Sequence, residues 1–191
     1  MPRITAIDCD SSKFPEIVDI LTNAGGDCQA IPLDSANATD FEDTDGVVIS
    51  GGPHLFTDAE SADTLLAKFT FLDNLDCPAF GICLGYQAIA IRRGARVFLG
   101  EARRETDAIR MVTTHPLMAG IPDGTHFRED HCEGVDLPEG FTRLGASEHY
   151  EAEAIADDRR RQYGVQFHPE VSGEPGRQLL TNFVQMLRTE A

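Results

Sequence analysis

The feature that most limits the fold is an alternation in the first half of the chain. Short apolar runs rich in β-branched residues are separated by stretches whose apolar residues recur at helical spacing. Ile4-Thr5-Ala6-Ile7 predicts a strand that stops at Asp8. Residues 15–24 predict a helix, with Ile17, Val18, Ile20 and Leu21 on one face and Gly25-Gly26 as its stop. Residues 28–33 and 46–50 predict two further strands, and 59–72 a helix carrying Leu65, Leu66, Phe69 and Leu72. Pro78-Ala79-Phe80-Gly81 predicts a short buried strand, and 86–92 the helix after it. Successive parallel strands need a crossover, and a helical crossover covers a sheet face; this order therefore predicts an α/β fold, a mostly parallel sheet with helices on both faces.

The second half has a different rhythm. Residues 106–112, 125–128, 141–146, 151–156 and 162–167 are strand-like with only turn residues between them, which predicts a small antiparallel extension. Residues 175–188 predict a last helix with Leu179, Leu180, Phe183, Val184 and Leu187 as its apolar stripe. With 191 residues and no repeat, linker or low-complexity tract, residues 1–191 are expected to form one domain around one ordinary core.

Charge and cysteine usage exclude several functions. The formal net charge is −16, so a phosphate backbone is repelled over most of the surface and general nucleic-acid binding is disfavoured. Only Lys13 and Lys68 are lysines, and arginine supplies the remaining positive charge. Such a surface suits a cell with high internal salt, where repulsion is screened, and it suits an ordinary acidic protein equally well. No apolar run approaches the roughly 20 residues of a membrane span and no secretory signal is recognisable, so a soluble cytoplasmic protein is expected. Cys9, Cys28, Cys77, Cys83 and Cys132 form no pair at regular spacing, so reduced thiols are expected, with Cys9, Cys28 and Cys77 as small buried apolar groups.

Cys83 stands apart. Gly81-Ile82-Cys83-Leu84-Gly85 lies where a buried strand meets a helix and has the form of the G-x-S-x-G nucleophile elbow with sulfur in place of oxygen. Its glycines permit a tight strand-to-helix turn, and the helix N-terminus favours a thiolate there; a glycine-bounded turn around a buried cysteine is the bland alternative. Gln166-Phe167-His168-Pro169-Glu170 ends the last predicted strand. An imidazole there can take a thiol proton, and a carboxylate two residues on can hold its other ring nitrogen; alone, the tripeptide is equally at home in a surface loop. Ser50-Gly51-Gly52-Pro53 follows a strand and can present backbone N–H groups to an oxyanion. Without a following Gly-Lys-Ser/Thr it is not a P-loop. His126, His131 and Cys132 lack a second pair at ligand spacing, so no metal and no cofactor are expected.

Together Ser50-Gly51-Gly52-Pro53, Gly81-Ile82-Cys83-Leu84-Gly85-Tyr86-Gln87 and Tyr163-Gly164-Val165-Gln166-Phe167-His168-Pro169-Glu170-Val171 resemble, in order and over nearly the whole chain, the class I (triad) glutamine amidotransferases. The resemblance implies a flavodoxin-like α/β fold. It implies that Cys83 is the nucleophile, His168 its base and Glu170 the group orienting His168. Gly52 and Leu84 would supply the oxyanion-hole N–H groups, and Gln87 would bind glutamine. Within the family, the ending His-Pro-Glu-Val and the segment from Asp130-His131-Cys132-Glu133 to Leu137-Pro138-Glu139-Gly140-Phe141 are most similar to the glutaminase part of GMP synthetases. Asp130, His131 and Cys132 would then contact the substrate's α-amino and α-carboxylate groups, with Asp130 and Cys132 standing where the family has serine and glycine. Other departures are Glu105-Thr106-Asp107 and Gly173-Glu174; Arg92 and Arg93 are read as solvated helix residues.

The function implied is hydrolysis of glutamine to glutamate and ammonia through a γ-glutamyl thioester, in purine biosynthesis. The ammonia would go to an ATP-dependent synthetase partner of the ATP-pyrophosphatase type. A free-standing γ-glutamyl hydrolase, an amidotransferase serving another synthetase and a regulatory module without catalysis remain the alternatives.

Overall fold

A computed structural model describes residues 1–189. Strands β1 (Arg3–Asp8), β2 (Asp27–Pro32), β3 (Gly46–Ile49), β4 (Ala79–Ile82) and β11 (Gln162–Val165) lie parallel in the order β2-β1-β3-β4-β11. Beyond β11 the sheet continues antiparallel through β10 (Ala154–Asp157), β9 (Thr142–Ala146), β6 (Thr106–Met111) and β7 (Thr125–Arg128), giving nine strands in all. β5 (Val97–Arg103) and β8 (His131–Val135) pair separately as an antiparallel ribbon. The α/β class with a parallel sheet and an antiparallel extension is thus as the sequence predicts.

Side chains alternate along the strands between two cores. Ile4, Val48, Phe80 and Ile82 face one side with α1 (Phe14–Asn23) and α5 (Gly173–Thr189), where Ile17, Leu21, Leu179, Leu180, Phe183 and Val184 are buried. Ile7, Val47, Ile49 and Ala79 face the other, against Leu65 of α3 (Ala62–Ala67) and Leu84, Tyr86 and Ile89 of α4 (Leu84–Arg92). The period of two in the strands and the helical stripes meet as expected.

Four local outcomes differ from the sequence reading. The helix predicted over 59–72 is split into α3 and a 3₁₀ turn at Thr70–Asp73. Asn37, at the end of the short helix α2 (Leu33–Ala36), does this: its Nδ2 donates to the Ala67 carbonyl and its Oδ1 accepts from the Phe71 N–H, replacing helical partners. The β5–β8 ribbon is not recognisable in the sequence, because its alternation is masked by charged residues. Its glycines let aromatic rings lie on the backbone: a Cβ at Gly134 would sit 2.6 Å from the Tyr150 ring. Arg92 and Arg93 are not merely solvated. Arg92 pairs with Asp73, and half-buried Arg93 donates to Gln162 Oε1 (2.8 Å) and the Leu72 carbonyl (2.7 Å), tying down the end of α4. Cys9 and Cys77 are buried as expected, whereas Cys28 is half-buried.

Candidate active site

The loops that leave the carboxyl ends of β1, β3, β4 and β11 converge on a cavity of about 400 Å³, where open α/β sheets ordinarily bind ligands. Its lining includes Lys13, Gly52, Cys83, Gln87, Asp130 and His168.

Cys83 occupies the N-cap of α4 with φ +48° and ψ −103°, a conformation that L-residues avoid and that functional sites often retain. Neighbours over-determine it. Its N–H donates to the Val165 carbonyl at 2.9 Å, linking β4 to β11. The flanking glycines permit the approach: a Cβ on Gly81 would lie 2.4 Å from the Gly85 carbonyl carbon, and one on Gly85 would lie 2.6 Å from the Ile49 carbonyl oxygen. The elbow is therefore pressed between its own first helical turn and β3.

His168 follows β11 by three residues and shares the cavity with Cys83. Its Nδ1 is 2.7 Å from Glu170 Oε1, so Nε2 is the nitrogen left for sulfur. Burial opposes the imidazolium, but the bonds to Cys83 and Glu170 outweigh it and raise the His168 pKa to about 9. A Cβ on Gly51 would lie 2.9 Å from His168 Cε1 and 3.4 Å from Cys83 Cβ, so this loop also closes over the pair. Leu84 opens α4, where a first-turn N–H has no intrahelical acceptor. Gly52 adjoins it: a Cβ there would sit 3.0 Å from Leu84 Cδ2 and 2.2 Å from the Cys9 carbonyl oxygen.

The turn bearing His168 is fastened to the end of β7. The His168 N–H donates to the Arg128 carbonyl (2.8 Å), the Arg128 N–H to Ser172 Oγ (2.9 Å), and Ser172 Oγ to the His168 carbonyl (2.6 Å).

The remaining residues singled out in the sequence divide. Gln87 is buried; its Nε2 donates to Gln166 Oε1 at 3.0 Å and, more weakly, to the Glu133 carbonyl at 3.4 Å. Asp130 lies at the rim, ion-paired with Lys13 (2.9 Å) and Arg104 (3.4 Å). Partial burial works against its carboxylate, yet these cations and His168 hold it below the usual range. His131 and Cys132 also border the cavity. The set His126, His131 and Cys132 is not brought together: His126 is exposed on β7, and His131 turns toward Glu129 and Glu153.

Three participants escape the sequence reading. Gln166 bridges the site, accepting from Gln87 while its Nε2 donates to Cys83 Sγ at 3.5 Å. Its place two residues before His168 in the quoted motif is the signal that could have found it. Glu133 accepts from the Phe56 N–H (3.1 Å) and the Thr57 N–H (2.5 Å), holding the 53–57 loop against the cavity. Lys13 comes from the β1 loop, far away in sequence. Cys9 and Cys77 offer no rival nucleophile, since burial pushes their thiols to about 12 and about 11.

Comparison with known proteins points the same way. The glutamine amidotransferase class-I family model matches residues 5–187. The glutamine-hydrolysing GMP synthase subunit of Natronomonas pharaonis is 34% identical over 188 residues, covering 96% of each chain. The glutamine-hydrolysing GMP synthase of Brucella melitensis biotype 1 is 36% identical over 191 residues, which are 96% of this chain and 37% of that longer one. Among solved structures, a candidate GMP synthase subunit from Thermoplasma acidophilum superposes with a TM-score of 0.89 at 26% identity, covering 100% of this chain and 96% of that one.

Proposed function

Since the chain belongs to the class-I glutamine amidotransferase family, we propose that Cys83, His168 and Glu170 hydrolyse glutamine here and that the ammonia serves a GMP synthetase partner of the ATP-pyrophosphatase type. The observation that carries this reading is the meeting of the elbow Cys83 with His168 at one cavity, both against the Gly51 loop, with His168 Nδ1 held 2.7 Å from Glu170.

The proton shared by the pair rests on His168 Nε2, and the sulfur that gave it up attacks the carboxamide carbon of glutamine. The oxyanion that forms meets the N–H groups of Gly52 and Leu84; one such donor is worth about 3–4 kcal/mol. The imidazolium, held by Glu170, returns its proton to the departing nitrogen, leaving a γ-glutamyl thioester and ammonia. Water deprotonated by His168 then releases glutamate and restores the thiol. At the far end, Asp130 offers a carboxylate to the α-ammonium, while Lys13 and Arg104 suit the α-carboxylate. With its N–H groups bonded to Gln166 and Glu133, Gln87 has its carbonyl oxygen left to offer a ligand.

The test is glutamine turnover by the isolated chain, then with an ATP-pyrophosphatase partner, ATP and XMP. A rise of ~10-fold or more is expected, on the scale of typical coupling between sites. Full activity alone, with preference for γ-glutamyl amides over glutamine, would instead identify a free-standing hydrolase.

A pH dependence follows from His168. Its imidazolium must reach the leaving nitrogen, so kcat/KM is expected to fall as pH rises through about 9. Glu170→Gln removes the negative charge that helps raise this value, and should move the alkaline limb to lower pH. The same shift bears on stability: the folded value lies above the unfolded one near 6.5, so the contribution is full below about 6.5 and is lost as pH rises through about 9. Profiles of kcat/KM and of denaturation midpoint against pH check both statements.

A further inference from the structure

Behind the cavity wall, Glu129, His131 and Glu153 meet in the interior, with 0%, 5% and 0% of their surfaces exposed. One donor atom from each lies within 4.8 Å of the other two. Both oxygens of Glu129, His131 Nε2 and Glu153 Oε2 have no hydrogen-bond partner among the described residues. His131 Nε2 is 3.0 Å from Glu129 Oε2 without hydrogen-bonding geometry. Unpaired atoms of this kind are costly in a dry interior, and the three residues that carry them meet at one place.

The tautomer of His131 sharpens the problem. Its Nδ1 is 2.9 Å from the Glu133 carbonyl, which can only accept, so Nδ1 carries the proton. In the neutral ring Nε2 then presents its lone pair toward the carboxyl groups of Glu129 and Glu153. Nearby donors are taken elsewhere: Arg103 pairs with Asp107, and Ser147 Oγ–H already serves Glu153 Oε1 at 2.7 Å. Something electron-poor belongs between these three side chains.

We propose that Glu129, His131 and Glu153 form a divalent-cation site of the zinc type, separate from the Cys83 centre. An imidazole and two carboxylates are an ordinary donor set for such an ion, and bonds of about 2.0–2.2 Å place tetrahedral donor pairs about 3.4 Å apart, within the spread observed. The dication balances the two carboxylates, whereas a proton engages only two of the converging atoms. The Nδ1–H bond to a backbone carbonyl is the outer support that metal-bound histidines usually have. His131 borders the cavity, which gives an ion its route in. The site would join the start of β8 to the segment before β10. It departs from the sequence reading, which expects no metal.

The experiment uses Cys83→Ala, so that the active-site thiol holds no metal. The protein is stripped with a chelator and offered Zn²⁺ or Co²⁺. One equivalent should be retained per chain, with Tm raised by about 5 °C or more. Bound Co²⁺ should show visible ligand-field absorption without a sulfur-to-metal charge-transfer band. Introducing Glu129→Gln or Glu153→Gln into Cys83→Ala should lower affinity at least ~10-fold, since even an outer-shell partner of a metal ligand is worth about 10–100-fold. No retained metal and no Tm shift with Zn²⁺, Co²⁺ or Mn²⁺ would overturn the proposal, as would one equivalent held undiminished by both glutamine variants. An infrared band of a protonated carboxyl, lost in Glu129→Gln and unaffected by metal, would show that a proton fills the place and would likewise overturn it.

Discussion

Cys83→Ala is expected to lower glutamine hydrolysis by at least about 10⁴-fold while leaving the fold in place. Triad enzymes deprived of a nucleophile retain only what binding and the oxyanion hole provide. Alanine keeps a Cβ at φ +48°, so the backbone strain is unchanged and little stability is gained or lost. Cys9 and Cys77 cannot substitute, because they are buried and stay protonated, and Cys132 borders the cavity from β8, outside the elbow. With a synthetase present, the variant should support synthesis from added ammonia and fail with glutamine. Rates of glutamate release and of product formation from each nitrogen source check this. Hydrolysis within ten-fold of the parent would remove Cys83 from the chemistry.

Gly176→Ala is expected to destabilise the protein by about 3 kcal/mol, the upper range for forcing atoms into a packed interior, and to slow turnover about 10²-fold. On helix propensity alone the sign is opposite, since alanine in a helix gains up to about 1 kcal/mol over glycine. Packing reverses it. A Cβ at Gly176, in the first turns of α5, would lie 1.8 Å from the Pro169 carbonyl oxygen and 2.6 Å from its carbon. Both are backbone atoms of the turn that holds His168 and Glu170, so relief requires that turn to move. A displacement of about 1 Å at a positioned group can cost about 10² in rate. Chemical denaturation and kcat for glutamine are the measurements; a higher denaturation midpoint would show that α5 and the turn are not locked together.

How much was legible in the sequence depended on how local the signal was. The parallel strands could be read because each is a short apolar run bounded by turn residues, and α1 and α5 because their stripes are regular. The elbow was visible because the two glycines flanking Cys83 answer to contacts that tolerate no side chain. The β5–β8 ribbon stayed hidden because its packing relies on Tyr150, distant in sequence and lying against Gly100 and Gly134. The break after α3 stayed hidden because the group responsible, Asn37, lies about thirty residues upstream. In the site, Cys83, His168 and Glu170 belong to recognisable motifs, whereas Gln166 was quoted in one without a role. The meeting of Glu129 and Glu153 with His131 depends on how β8 and β10 pass each other, which no spacing along the chain records.

The stitching of His168 to Arg128 has a consequence for control. Backbone and side-chain links leave the imidazole and the end of β7, two residues before the rim residue Asp130, unable to shift independently. A protein resting on that rim would therefore reach the proton-transfer step by leverage, without contributing an atom to it. Linkage would make any such influence on binding mutual: to the extent that a docked protein tightened the hold on glutamine, glutamine would tighten the hold on that protein by the same factor.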